Sequence, residues 1–449
     1  MKPWIAATLA LFSSWALATE SLPVKDGDFS CIDAATADRY IANFSIDIGS
    51  FGGKELCNPS VDSKKLFNDL QLIEQGRFGN ATQNLFIKNF VNRDNYYRYL
   101  QDETRGIQRG NDVPFATAYN SGGYFTMQDG WAKLSTLGRV GVVLHEARHT
   151  EGFYHVPCTQ GPYKGSQVQG CDTTVENGGS HAIEMEYYAR VVVQGANFHP
   201  VYQDMARLML LARSNFVFNS NPLSPHDALL ARTETGFVRF KDGQREEWAW
   251  ESAPPTAEPA TLKRTSFGAT LLENPVTALA VTLKDSHTAA TVSDDYSYFK
   301  LLKIAPPTGL TDFEEVDADN KRYVVALDNR ANAFGYIFDR GRWSSPQPLS
   351  GAKKLLTSDP SGQKGLYALF ENSTYCAIDL RTLRCGSTAN PWPLEAQQFV
   401  GFQNTLLKLS KDGVVTGPDG SPWPDLRGVR TLDLIRVPAY NVFDKALIN

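Results

Sequence analysis

The sequence predicts a multidomain α+β chain, with a mainly helical N-terminal domain followed by an all-β domain. Three observations carry this reading of the 449 residues. Before residue 250, apolar residues recur at helical spacing in several long stretches. Residues 251–264, ESAPPTAEPATLKR, then turn Pro- and Ala-rich, which marks a linker. Beyond them, short runs of β-branched and aromatic residues alternate with turn signals such as Asp339-Arg340-Gly341 and Lys411-Asp412-Gly413.

Taken in order, residues 1–18 have the form of a signal peptide. Lys2 supplies positive charge, Ile5 to Leu17 an apolar core, and Ala16-Leu17-Ala18 a small-residue cleavage site. The mature chain is therefore expected to be exported, to the periplasm or the extracellular space. No other run reaches the roughly 18 apolar residues a membrane span needs, so no transmembrane segment is expected. A net charge of -5 gives no reason to expect nucleic acid as a partner. Six cysteines in an exported chain favour disulfides, and nearest-neighbour pairing is the simplest choice: Cys31–Cys57, Cys158–Cys171 and Cys376–Cys385.

Residues 19–250 form the expected helical domain. Leu66, Leu70 and Ile73 make the apolar stripe of a helix over Val61–Gly76, with Asp62 or Ser63 as cap. A second helix is expected over Leu85–Leu100, with Phe86, Phe90 and Tyr97 as core residues. Val113 to Met127 reads as a hairpin or two short strands around Asn120-Ser121-Gly122-Gly123. Later in the domain, His199-Pro200 opens an apolar helix, Ser224-Pro225 a short one through Arg232, and Gly236–Trp250 reads as a hairpin.

The chemistry concentrates in HEARHTEGFYH, His145 to His155. Ser135 or Thr136 can cap the helix that leads into it, with Leu137, Val140 and Leu144 at helical spacing. His145 and His149, four apart, then lie on one face and can share a zinc ion, while Glu146 is angled toward an open coordination position. Gly152 can leave the helix through a left-handed turn and bring His155 to the same metal.

This stretch resembles the HExxHxxGxxH signature of the metzincin metallopeptidases, a branch of the zincins, and fills every specified position of it. The resemblance implies a zincin-like domain, Zn2+ as cofactor, and a peptide or protein as substrate. It implies His145, His149 and His155 as ligands, and Glu146 as the general base toward a zinc-activated water. It also implies an edge strand along the cleft that pairs with substrate backbone, for which Val113–Tyr119 and Tyr124–Met127 are the candidates.

The segment Asn177 to Gly195 leaves alternatives open. Read as a helix capped by Ser180, it places Glu186 where gluzincin-type peptidases carry a glutamate as third ligand, with Glu184 as a substitute. Read as a turn, Met185-Glu186-Tyr187 resembles the Met-turn of metzincins. The helix is the favoured reading, and either His155 or Glu186 can complete the ligand set. Tyr187, Tyr188 or His181 can supply a transition-state or substrate contact.

Residues 265–449 show paired β runs at very roughly 40-residue intervals, a period that points to a small β-propeller of four or five blades, with a sandwich as the alternative. The last run, Val429–Val437, is expected to close against the first strand after Thr265. The leading function is thus a secreted or periplasmic zinc metalloendopeptidase. The alternative is a propeller-type interaction protein carrying a structural or degenerate metalloprotease-like domain.

Overall fold

The computed structural model describes residues 21–79, 87–91, 95–113, 116–166, 169–223, 226–241, 243–250, 261–273, 277–283, 290–386, 389–423 and 426–437. The signal-peptide reading and residues 251–260 of the expected linker fall outside these.

Helices α1 (Ala34–Asn43), α2 (Asp62–Gln75) and α3 (Tyr96–Glu103) come first. A three-stranded sheet follows, with β1 (Gly106–Arg109), β2 (Ala118–Ser121) and β3 (Tyr124–Met127) in the order β1-β3-β2. A short α4 (Asp129–Ala132) leads into α5 (Thr136–Thr150). The small pair β4 (Val156–Pro157) and β5 (Gln169–Cys171) precedes α6 (Ser180–Gln194) and α7 (Pro200–Phe216).

Helix α5 sits at the centre, against α2, α3, α6 and strand β2. Every residue from Thr136 to Arg148 is buried, so the helix has no solvent face to carry its polar residues. Arg139 is accommodated by carboxylates instead. Its Nε donates to Asp69 at 2.9 Å and its Nη1 to Asp26 at 2.9 Å and to the Leu134 carbonyl at 2.8 Å. Gly141 lets α6 approach closely, since a methyl group there would collide with the Tyr188 hydroxyl.

Helix α3 is shorter than the 85–100 helix expected from sequence. Its start is fixed by Asn95, whose side chain accepts from the Arg98 N–H, and residues 87–91 are not helical. Phe86 lies outside the described residues.

The β-rich part begins at His226, where the sequence reading placed a helix. Residues 228–232 are buried without interruption, and a short continuous apolar run of this kind does not distinguish helix from strand by its period. Strand β6 (His226–Arg232) pairs with β7 (Gly236–Lys241), which pairs with β8 (Gln244–Ala249). The second sheet holds β9 (Thr261–Thr265), β10 (Gly268–Glu273), β11 (Thr277–Leu283) and β12 (Ala290–Ser297), and helix α8 (Tyr298–Leu302) follows it. The third holds β13 (Leu310–Ala318), β14 (Lys321–Asp328), β15 (Asn332–Ile337), β16 (Arg342–Trp343) and β17 (Gln347–Pro348). The fourth holds β18 (Ala352–Ser358), β19 (Lys364–Phe370), β20 (Thr374–Asp379), β21 (Arg384–Cys385) and β22 (Asn390–Pro391). The fifth holds β23 (Ala396–Phe402), β24 (Thr405–Ser410) and β25 (Val415–Thr416).

The C-terminal strand β26 (Thr431–Val437) returns to the first sheet, pairing antiparallel with β6 from Thr431↔Arg232 to Val437↔His226. The expected closure against the strand after Thr265 is therefore corrected by one sheet. The 236–250 hairpin belongs to the β-rich part, and the Pro-rich stretch falls between its first and second sheets. One strand from each sheet contacts the next in cyclic order: β26, β9, β13, β18, β23 and back to β26.

The two parts share a core rather than keeping separate ones. Leu208, Leu210 and Leu211 of α7 belong to the same buried cluster as Phe267, Tyr298 and Phe313 of the β-rich part. Phe216 of α7 meets Phe267 of the β-rich part edge-on, with centroids 6.3 Å apart. At about 1.5–3 kcal/mol per large apolar side chain, this contact holds the two parts together. Disulfides join Cys31 to Cys57, Cys158 to Cys171 and Cys376 to Cys385. No described helix is long and apolar enough to cross a membrane.

Candidate metal centre

Helix α5 starts where Ser135 accepts from the Gly138 N–H, and this start sets the face on which its last turns present His145 and His149. Past Thr150 the chain turns at Gly152, with φ +89°, a conformation glycine adopts without strain. That turn carries His155 back over the helix end. The His155 Nε2 lies 3.0 Å from that of His145, which lies 3.2 Å from that of His149.

Each imidazole is held from behind through its Nδ1. That of His145 meets Glu184 Oε1 at 2.7 Å, that of His149 the Phe153 carbonyl at 2.5 Å and Ser180 Oγ at 3.0 Å, and that of His155 Asp172 Oδ1 at 3.2 Å. With each Nδ1 facing an oxygen acceptor, the proton sits there and the Nε2 lone pairs are left to face one another. Burial keeps the rings neutral. It lowers His145 well below the ordinary histidine value and lowers His155, and with the help of the His155 ring it takes His149 down to about 4. Three lone pairs pointing at one place, one on a buried ring and two on half-buried ones, repel unless a cation or a donated proton lies among them. A tetrahedral zinc with bonds of about 2.0–2.1 Å separates its nitrogen ligands by about 3.3 Å, close to the spacing found.

Two other groups of potential ligands form around the same rings, His145 with His181 and Glu184, and His155 with Asp172 and His181. Their atoms already pair as donor and acceptor. His181 turns its Nδ1 to Glu184 Oε1 and its Nε2 to the Gly170 carbonyl, each at 3.1 Å, and stacks on His155 with centroids 4.6 Å apart. The set His145, His149 and His155 is the one whose ligand atoms face each other without a proton between them.

The orienting carboxylates come from outside the motif. Pairing of Val156 with Cys171 and the Cys158–Cys171 disulfide bring Asp172 beside His155. Its second oxygen accepts the N–H groups of His181 at 2.9 Å and Ala182 at 3.2 Å, so it also caps helix α6. Ser180, expected as that cap, is the first helical residue and turns its hydroxyl to His149. Glu184 is ion-paired with Arg213 of α7 at 2.7 Å. Burial opposes its ionisation, but Arg213 and the two histidines hold its carboxyl well below the usual range.

Glu146 is buried, and its Oε2 has no partner among the described residues. Burial, and to a lesser degree Glu184, raises its pKa to about 8. The backbone carbonyl of Glu146 accepts from Asn120 Nδ2 at 2.5 Å, which ties strand β2 to the helix. That strand is an edge of its sheet, whereas Tyr124–Met127 is its central strand. The edge candidate of the Val113–Tyr119 stretch therefore survives at Ala118 and Tyr119, and the Tyr124–Met127 candidate does not.

Other candidates lie elsewhere. Glu186 is two residues beyond Glu184, about 200° around the helix, and faces away from the histidines. It accepts from the Phe90 N–H at 2.8 Å and the Tyr96 hydroxyl at 3.1 Å, so it is not in position as a third ligand. Tyr187 is fully buried against Tyr96, with ring centroids 4.9 Å apart, and makes no contact at the site. Tyr154 was missed in the sequence reading. It is 75% exposed and lies over His149 with centroids 6.1 Å apart. An aromatic residue just before the third histidine of the motif was the available signal.

No family model and no curated protein matches the chain. Among solved structures, BamB from Moraxella catarrhalis aligns at 14% identity and TM-score 0.20, over 44% of this chain and 57% of that one. The C-terminal WD40 domain of Sif2 aligns at 12% identity and TM-score 0.20, over 43% of this chain and 68% of that one. The chain thus spans little more than half the length of BamB, and likenesses at this TM-score carry no argument about what it does.

Proposed function

We propose that the chain is an exported zinc-dependent peptidase, with His145, His149 and His155 as ligands and Glu146 as the general base. The observation that supports this most is the convergence of three Nε2 atoms at the end of the same helix that carries Glu146, whose carboxylate oxygen is buried and unpartnered among the described residues. A zinc ion held there would supply a Lewis acid and an activated water. Glu146, at a pKa near neutrality, accepts a proton from the attacking water and returns it to the leaving amine. The edge of β2 can take an extended peptide backbone by strand addition. The disulfides fit an oxidising compartment, in line with export. The deciding experiment is metal analysis and peptide hydrolysis with Glu146→Gln. One zinc per chain with hydrolysis reduced by about 10²-fold or more supports the reading. No zinc in wild type after reconstitution, or undiminished hydrolysis in the variant, would refute it.

A second reading is favoured by the β-rich part. Five sheets whose strands touch in cyclic order, closed by β26 on β6, are read as a five-bladed β-propeller that presents an interaction surface. If biological activity survives Glu146→Gln intact, this interaction role becomes the function and the metal site a structural one.

A further inference from the structure

A cleft of about 370 Å³ separates the helical part from the β-rich part. Met209, Arg213 and Phe216 of α7 form one wall, and Lys303, Tyr336 and Phe338 face them. Its charges are unbalanced. Lys133, Arg213 and Lys303 line it against one carboxylate, Asp129, which is already paired with Arg109 at 2.9 Å. Arg213 has Glu184, but among the described residues no carboxylate is within ion-pair distance of Lys133 or Lys303. Lys303 holds a left-handed backbone at the end of α8, with φ +64°, and its ammonium donates to Thr117 Oγ1 at 3.1 Å. Burial and Arg213 push it down to about 7, against a smaller opposing pull from Glu184. The other end is aromatic: Tyr163 and Phe216 each lie 5.9 Å from Phe338.

We propose that this cleft takes the C-terminal carboxylate of a substrate peptide with an apolar last residue. Lys303 and Lys133 pair with the carboxylate, and Tyr163, Phe216 and Phe338 cover the side chain. The assignment rests on the peptidase reading for its choice of a peptide, and on the cleft's own charges for its choice of a carboxylate. Ala116 and Thr117, which line the cleft, lead directly into edge strand β2. A peptide added antiparallel to β2 runs from Ser121 toward Ala118, so its C-terminus arrives at the cleft. Asn120, the residue tied to Glu146, stands three positions from Thr117, about 10 Å of extended chain. Cleavage is therefore expected a few residues from the substrate's end.

The test uses full-length Glu146→Gln protein and calorimetry with an acetylated pentapeptide of four alanines and a terminal phenylalanine, as free acid and as C-terminal amide. The free acid is expected to bind about tenfold more tightly, a preference lost in Lys303→Met and weakened in Lys133→Met at unchanged melting temperature. Equal binding of acid and amide, or a preference that survives in both lysine variants, overturns the proposal. Displacement of the peptide by 3-phenylpropanoate at the peptide's own affinity overturns the peptide part, since a small acid would then suffice. Absence of hydrolysis by zinc-loaded wild type, with the preference intact, counts against the peptidase reading and leaves the carboxylate site supported.

Discussion

Replacing Asp172 by Asn separates two roles that one carboxylate combines. One oxygen accepts from His155 Nδ1 at 3.2 Å, and the other accepts the N–H groups of His181 and Ala182 at the start of α6. Asparagine keeps one acceptor and gains a donor. If its carbonyl stays on the helix, its amide N–H₂ meets His155 Nδ1 and that nitrogen must become the acceptor, which moves the ring proton to Nε2 and removes the lone pair the metal needs. Metal affinity should then fall by about 10–100-fold, the usual cost of losing an orienting partner. Stability should hardly change, because Asn caps helices about as well as Asp. Asp172→Ala loses both roles: the same fall in affinity, plus about 1 kcal/mol for the cap, or about 1 °C in melting temperature for a chain of this size. Zinc competition against a chromophoric chelator and thermal melting of the metal-free proteins give the two readouts. The reasoning fails if Asp172→Asn binds zinc like wild type, or if it melts as low as Asp172→Ala.

Three further outcomes are expected. Glu314 is buried and touches Lys263 at 2.5 Å, and burial raises its pKa to about 8, so the folded state holds an extra proton between about 4.5 and 8 and loses stability as pH rises through that window. The melting temperature of Glu314→Gln relative to wild type should therefore climb from pH 5 to pH 8 and level off above; a gap independent of pH would contradict this. Converting Cys158 and Cys171 to Ser opens a link spanning 13 residues, worth about 3 kcal/mol, and should weaken zinc binding too, since it loosens Asp172; unchanged zinc affinity would show that the β4–β5 pairing suffices. Ending the chain at Arg430 removes β26 and leaves β6 as a bare edge, so the truncated protein should aggregate or lose β circular dichroism, whereas a soluble, equally stable product would deny β26 its closing role.

Local signals made part of this architecture legible. The helical spacing and Ser135 cap of α5, the Gly152 turn, the nearest-neighbour cysteine pairs and the 236–250 hairpin each depend on residues close in sequence, and each has its counterpart in the structure. Strands β13 and β18 are hard to read from the sequence for an electrostatic reason. They carry Asp312, Glu314 and Lys354 toward the interior, where Lys263 balances the carboxylates, and these charges interrupt the apolar pattern by which a buried strand is read. Strand β6 is ambiguous for another reason: residues 228–232 are buried without interruption, between β7 on one side and β26, some 200 residues away, on the other, so no alternation marks the strand.

The site divides along the same line. The histidines could be read because a helix and one turn relate them, but the groups that set their tautomers could not, since Asp172 and Glu184 stand 17 and 39 residues from the rings they hold. The choice between Glu184 and Glu186 shows why. On sequence grounds either fits the first turns of α6, and only the direction in which that helix crosses α5 decides which faces the histidines. The crossing is set by Gly141, where α5 lacks a side chain and Tyr188 enters. Tyr188 lies four residues from Glu184 and so on the same face, while Glu186 lies two from each and faces away. A glycine in one helix thus selects, through a tyrosine in the next, the carboxylate that orients the His145 ring.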